Sequence, residues 1–246
     1  MTPCIRLLAL CASLAVSPLN AEILRASSGP NVTPVIELYT SEGCSSCPPA
    51  DEWLAQLAQL PTSDLDVVAL AFHVDYWDYI GWKDRFADPR FTQRQRQLAR
   101  TNRQSTIYTP GFYVAGQEGK GSGHMIRHIK AASVSPAQVD LALEAEVDDQ
   151  QLALRLESIN RSDQPLQVEF VVYENNLQSQ VTRGENTGRE LVHQRVVRHL
   201  SKPIPLAPGM EHRVDVKPDW KQADLGVAAL VRSTDSQYLQ SVQLEF

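Results

Sequence analysis

The run Val35-Ile36-Glu37-Leu38-Tyr39-Thr40-Ser41-Glu42-Gly43-Cys44-Ser45-Ser46-Cys47-Pro48-Pro49-Ala50-Asp51 constrains this chain more than any other stretch. Val35, Ile36, Leu38 and Tyr39 suit a buried strand. Trp53, Leu54, Leu57 and Leu60 then repeat at the i, i+3/i+4, i+7 spacing of an amphipathic helix. Two cysteines at C-x-x-C spacing therefore fall where a strand hands over to a helix. A thiol at that junction faces backbone N–H groups without intrahelical partners and the positive end of the helix dipole. Such sites lower a cysteine pKa to roughly 3.5–7.5 from about 8.5. Cys44 is expected to attack, and Cys47, one turn on and more covered, to resolve. Pro48-Pro49 works against this reading, because each proline disfavours the α region for its predecessor. Either the first turn is distorted, or the helix begins near Pro49 and the cysteines sit in its approach.

The other cysteines decide what the pair is for. Cys4 and Cys11 lie within residues 1–21, which read as a signal peptide: Arg6 gives a positive start, Leu7 to Val16 an apolar core, and Ala21 a small residue before cleavage. That apolar run is shorter than the roughly 20 residues a span needs, so no membrane span is expected after signal removal. Leu10 is bulky where a lipoprotein signal at Cys11 wants a small residue. The exported chain would keep only Cys44 and Cys47, in a periplasmic or secreted, oxidising setting. A disulfide closing so short a loop removes little unfolded-chain entropy, so chemistry explains the pair better than stability does. A closed zinc site wants four ligands, and after removal of residues 1–21 the chain would offer no second cysteine pair to supply them. Two other readings stay open: copper or zinc binding or delivery through Cys44, Cys47 and His73, and a non-enzymatic binding protein. With a net charge of −6, nothing points to nucleic acid.

Along the chain, residues 22–34 read as a flexible lead-in carrying Ser27-Ser28-Gly29-Pro30. The helix after the cysteines should break at Pro61-Thr62-Ser63-Asp64. Asp66 to His73 is an almost wholly apolar strand of the kind buried in a parallel sheet, completing a strand–helix–strand unit. The following segment, Val74 to Asp88, is aromatic, and loops of this size are often functional. Tyr76, Trp77 and Trp82 are candidate walls of a substrate groove, the competing reading being that these rings cover the domain's own core. Asp88 and Pro89 mark a helix start, and the helix to about Asn102 is strongly basic, with Arg90, Arg94, Arg96, Arg100 and Arg103 nearby. Thr109-Pro110 then stands at the entrance of a strand, where proline belongs. Glu37 could be a buried acid beneath the thiols, and His73 or Asp75 could reach the site from the end of the second strand.

C-x-x-C after a first strand and Thr-Pro before a later one resemble the thioredoxin fold, in which a cis Thr109-Pro110 bond would face the cysteines. More closely, Glu37 to Asp51, Ala71-Phe72-His73-Val74-Asp75-Tyr76-Trp77-Asp78-Tyr79-Ile80-Gly81-Trp82-Lys83-Asp84 and Tyr108-Thr109-Pro110 resemble the domain of unknown function 1223 family of exported bacterial proteins. The resemblance implies a thioredoxin-like domain with a redox pair. Gly111-Phe112-Tyr113-Val114 and the glycines up to His128 depart from it.

From Val139 onward, short alternating runs separated by turn pairs indicate an antiparallel β-sandwich. The expected architecture is an α/β thioredoxin-like domain over 30–136 followed by an all-β, immunoglobulin-like sandwich over 137–246. The expected function is thiol–disulfide oxidoreduction with Cys44, Cys47, Thr109 and Pro110 at the centre. The partners would be protein or small-molecule thiols and disulfides, with no cofactor beyond the redox-active disulfide.

Overall fold

The computed structural model describes residues 23–60, 66–148, 150–235 and 237–246. The signal peptide expected over 1–21 and the helix break expected at Pro61 to Asp64 lie outside the described residues.

The site-bearing part begins with β2 (Val35–Thr40), α1 (Pro48–Ala58) and β3 (Val68–His73). It continues with α2 (Pro89–Thr101), the hairpin β4 (Gly111–Val114) and β5 (Gln117–Gly119), and α3 (Ser122–Ser133). β2 pairs parallel with β3 and antiparallel with β4. Every residue of β2 and β3 is buried, which matches their near-continuous apolar sequence. Strand alternation sends Val35, Tyr39, Leu70 and Phe72 to one face, under α2, and Ile36, Leu38, Ala69 and Ala71 to the other, under α1 and α3.

After α3 come β6 (Val139–Val147), β7 (Gln151–Asn160), β8 (Leu166–Glu174), β9 (Leu177–Gln180), β10 (Glu190–His193) and β11 (Val196–Leu200). The last four strands are β12 (Ile204–Pro205), β13 (Met210–Asp215), β14 (Leu225–Ser233) and β15 (Tyr238–Glu245). β1 (Ile23–Ser27), in the stretch expected as a lead-in, is a strand paired antiparallel with β6.

The expected fold class is corrected here. Strands take 42% of the residues and helices 19%, in several sheets, so the chain is mostly β rather than an α/β domain trailed by an immunoglobulin-like sandwich. β8, β11, β14 and β15 join β2 to β5 in a single nine-stranded sheet of order β15-β14-β8-β11-β3-β2-β4-β5, with β12 on β8. The junction is β11 against β3, parallel, through Val196 and Ala71. β1, β6, β7 and β13 form a separate four-stranded sheet. It packs on the β8–β14 part of the large sheet through Leu143, Leu154, Phe170, Val227 and Ala229. The cause is the open edge of β3: buried on both faces, it exposes unpaired backbone groups unless a further strand covers it. Periodicity locates strands but not their partners.

The large sheet also curls back on itself. From β15, Ser241 donates to the Thr33 carbonyl at 2.7 Å, and Gln243 Nε2 donates to the Val67 carbonyl at 3.0 Å. Strands from the two ends of the chain thereby close around one core that includes Tyr39, Phe72, Tyr173 and Leu230. Among the described residues no helix is long and apolar enough to cross a membrane.

Candidate functional site

Cys44 and Cys47 are joined as a disulfide with Cα atoms 5.4 Å apart. The regular helix begins at Pro48, with Cys47 as its N-cap in the αR region. Pro48 and Pro49 suit the first helical positions because they lack N–H groups that would have no partner there. The consequence for the thiols is chemical. Two of the four end-of-helix donors are missing, and the N–H groups of Ala50 and Asp51 both go to the Cys47 carbonyl, at 2.8 and 3.0 Å. The local donor to Cys44 is instead the Ser46 hydroxyl, with Oγ 3.3 Å from Sγ.

Neither sulfur-bearing residue is open. Cys44 is 1% exposed and Cys47 0%, whereas the sequence suggests cover mainly for Cys47. The cover comes from the loop between β9 and β10, some 140 residues away in the chain. Asn186, fully buried, donates from Nδ2 to the carbonyls of Glu42 (2.8 Å) and Cys44 (3.0 Å). The Ser45 N–H donates to the Glu185 carboxylate at 3.0 Å. Gly184 adopts φ +76°, and a Cβ there would stand 3.1 Å from Ile80; glycine lets the loop approach this closely.

Behind the disulfide lies a buried polar cluster. Asp84 Oδ2 accepts from the Glu42 N–H at 2.9 Å and pairs with His73 Nδ1 at 2.7 Å. Glu42 accepts from Trp82 Nε1 at 2.7 Å and pairs with His193 Nε2 at 3.1 Å. The His73 and His193 rings meet edge to face, 5.0 Å between centroids. Asp51 stands one turn beyond Cys47 and accepts from the Thr40 hydroxyl at 3.1 Å. In helices side chains tilt towards the N-terminus, so its carboxyl leans back towards Cys47. Four buried atoms here have no hydrogen-bond partner: Asp51 Oδ1, His73 Nε2, His193 Nδ1 and Asn186 Oδ1. A cleft of about 450 Å³ between α1 and β10 has Pro48, Asp51 and His193 on its wall.

The charges of the cluster follow from its contacts. Burial pushes the His73 imidazolium down, but the charge and hydrogen bond of Asp84, with Asp51 and Glu42, leave its pKa raised. Burial pushes the Asp84 carboxyl up, and the charge and hydrogen bond of His73 bring it below the usual range. Glu42, raised by burial, is brought below its usual range by hydrogen bonds led by that of His193. For Asp51, burial outweighs its histidine neighbours and the carboxyl is raised.

The other expected site residues are placed as follows. Thr109-Pro110 is a cis peptide, and the Thr109 hydroxyl accepts from Trp77 Nε1 at 2.7 Å. A Cβ on Gly43 would stand 3.1 Å from Trp77 Cβ, so Trp77 links the cysteine turn to Thr109. Tyr76 donates to Gln95 of α2 at 3.2 Å, and Asp75 is bound by the Thr92 hydroxyl of α2. Both therefore serve the α2 packing.

Glu37 is not beneath the thiols. Its strand parity puts it on the α2 face, where it accepts from Arg94 Nε at 2.8 Å and from the Tyr39 hydroxyl at 2.7 Å. Arg94 also holds Glu169 at 3.0 Å, and Tyr238 donates to Glu37 as well. Burial pushes the Glu37 carboxyl up, and Arg94 foremost brings it below the usual range. Among the described residues no group of three or more His, Cys, Asp or Glu side chains is arranged to hold a metal ion, and Cys44, Cys47 and His73 form no such group.

Asp51 and Asp84 sit inside the motifs quoted above, where only their buried neighbours mark them out. His193 and Asn186 carry no sequence signal.

Comparison with solved structures finds two similar chains. One is a crystal structure of a protein from Agrobacterium tumefaciens, 22% identical, with a TM-score of 0.62, covering 87% of this chain and 95% of that one. The other is HBP35 of Porphyromonas gingivalis, 18% identical, with a TM-score of 0.65, covering 89% of this chain and 76% of that one. At these identities the likeness concerns the fold alone. No curated protein matches. The family model described as "Protein of unknown function (DUF1223)" matches residues 35–232. This chain, with its Cys44–Cys47 pair inside the matched span, therefore belongs to the DUF1223 family.

Proposed function

We propose that the chain is an exported thiol–disulfide exchange protein whose Cys44–Cys47 pair cycles between disulfide and dithiol beneath the β9–β10 loop. The observation that carries this reading is the set of unpartnered polar atoms beside the disulfide. Each such buried group costs about 1–3 kcal/mol, a cost that a purely structural crosslink gives no reason to bear and that a proton-handling site does.

In the oxidised protein a partner thiolate attacks Cys44 Sγ, forming a mixed disulfide and releasing Cys47 as thiolate. Asp51, with its raised carboxyl, is the first acid along the helix and would protonate the Cys47 thiolate, recovering its proton from the one the partner thiol gave up to solvent. A second partner thiolate then attacks the partner sulfur of the mixed disulfide. This releases Cys44, which takes up a proton, and leaves the partner as a disulfide. Two electrons and two protons pass to the pair, and the reverse sequence oxidises a partner dithiol. Because both cysteines are covered, exchange follows an opening of the loop that breaks the Asn186 and Glu185 contacts.

The test is equilibration of the purified protein with reduced and oxidised glutathione, read by thiol alkylation and mass, alongside an insulin-reduction assay. Wild type should give a reversible two-electron transition and turn over insulin disulfides, and Cys44→Ser should do neither. Activity in Cys44→Ser equal to wild type would sink the proposal, as would a wild-type pair that stays inert with the loop contacts removed.

A further inference from the structure

The basic helix plays no part in the chemistry above, and the structure gives it a setting. Between α2 and the β11–β12 link lies a cleft of about 440 Å³, with Arg96, Arg100 and Lys202 on its rim and Arg94, Glu169 and Arg232 on its floor. Its volume falls in the range of small-molecule sites. We propose that this cleft binds a small ligand bearing two or more oxyanion groups, of the polyphosphate class.

The floor is already committed. Arg94 is spent on Glu37, Glu169 and Tyr238, and Arg232 pairs with Glu169 at 3.2 Å. Arg90, beside the rim, is held by Asp88. Arg96, Arg100 and Lys202 are exposed, and among the described residues no carboxylate lies within ion-pairing distance of them. Three positive charges thus converge on one opening of a chain whose net charge is −6.

Arg100, in the last turn of the helix, complements its dipole, but Arg96 has no such role. Arg96 and Arg100 stand at i, i+4, where like charges cost a helix about 0.2–0.5 kcal/mol. A pair of like charges at i, i+4 with no counter-charge among the described residues leaves room for one from outside the chain.

The geometry also sets the valency. Arg96 and Arg100 are one turn apart, about 6 Å along the axis, and Lys202 faces them from the β11–β12 link. A ligand with two or more anionic groups engages all three at once, and the arginine forks suit phosphate oxygens.

The test is calorimetric titration of the purified chain with inorganic tripolyphosphate, with orthophosphate and phosphatidylglycerol vesicles as parallel arms. The expected result is saturable tripolyphosphate binding that weakens roughly tenfold between about 50 and 200 mM salt and is tighter than orthophosphate binding. Arg96→Ala/Arg100→Ala should weaken it about tenfold or more, the loss of two charge-assisted contacts, while Lys130→Ala on exposed α3 leaves it unchanged. Both variants change exposed side chains, and an unaltered thermal melt checks that they fold. No heat with tripolyphosphate, equal affinity in the double variant, orthophosphate binding as tight, or binding to the vesicles alone would each overturn the proposal. None of these outcomes depends on the cysteines.

Discussion

Two buried ionic clusters sit on opposite faces of the same pair of strands, and they are built differently. On the α2 face, Arg94 brings Glu37, Glu169 and Tyr238 together with every guanidinium nitrogen engaged. On the α1 face, Asp84, His73, Asp51, Glu42 and His193 crowd behind the disulfide with three of their own atoms unpartnered. The first is a closed set that joins elements distant in sequence: β2, α2, β8 and β15. The second is left open at Asp51 Oδ1, His73 Nε2 and His193 Nδ1. Charge burial is common to both, so it does not mark a site. What sets the second apart is that several unpartnered atoms gather in one cluster.

The sharpest way to break this contrast is to remove the hub of the closed set. Arg94→Met should destabilise the fold by about 3–5 kcal/mol, because Glu37 and Glu169 are left buried without a counter-charge. Chemical denaturation measures it, and a loss below 1 kcal/mol would mean that the network is ornamental. Next in size is the clasp over the cysteines. Asn186→Ala leaves the Glu42 and Cys44 carbonyls without their donor, a cost of about 1–3 kcal/mol. If the loop gates access, the rate of disulfide reduction by dithiothreitol should rise about tenfold. Glu185→Ala, which removes one exposed contact, should change it less than about threefold.

How much of this could be read beforehand depends on whether the signal was local. Asp88 and Pro89 announce α2, and the structure starts the helix there, with Asp88 accepting from the Arg90 N–H. α3 opens at Gly121 with no side-chain cap, so the usual start signal is missing and the stretch reads only as glycine-rich. The cysteine pair and Thr109-Pro110 are contiguous motifs and were legible as such. That Glu37 could be a buried acid fits its burial, but strand parity pairs it with Tyr39, not with Thr40, and so turns it to Arg94. Nothing near His193 or Asn186 tells of a turn some 140 residues earlier, and the merging of the two halves into one sheet is likewise a matter of strand partners.

Two smaller effects sharpen the comparison further. Asp51→Asn keeps an acceptor for Thr40 and removes a carboxyl whose pKa burial has raised. It should therefore stabilise the protein by about 0.5–2 kcal/mol, in the manner of functional-site residues, while slowing exchange at neutral pH. A destabilised variant with unchanged exchange kinetics would place Asp51 in the closed class. The last test is pH. His73 is raised above its ordinary 6.5, so its contribution to stability is complete below 6.5 and is lost as pH rises through the folded value. Urea midpoints of wild type relative to His73→Gln should therefore converge as pH rises above 6.5. A gap that widens with pH would reverse the sign and dissolve the His73–Asp84 ion pair as described.

The parallel seam between β3 and β11 has a practical corollary. Proteolysis or truncation near residue 136 would strip β3 of its neighbour and take away the loop that shelters the sulfurs. The released fragment would combine a bare strand edge with an uncovered cysteine pair, two hazards that invite aggregation and stray crosslinking. Whatever chemistry the cysteines perform is thus tied to the integrity of the carboxyl-terminal strands, and a damaged copy would forfeit both together.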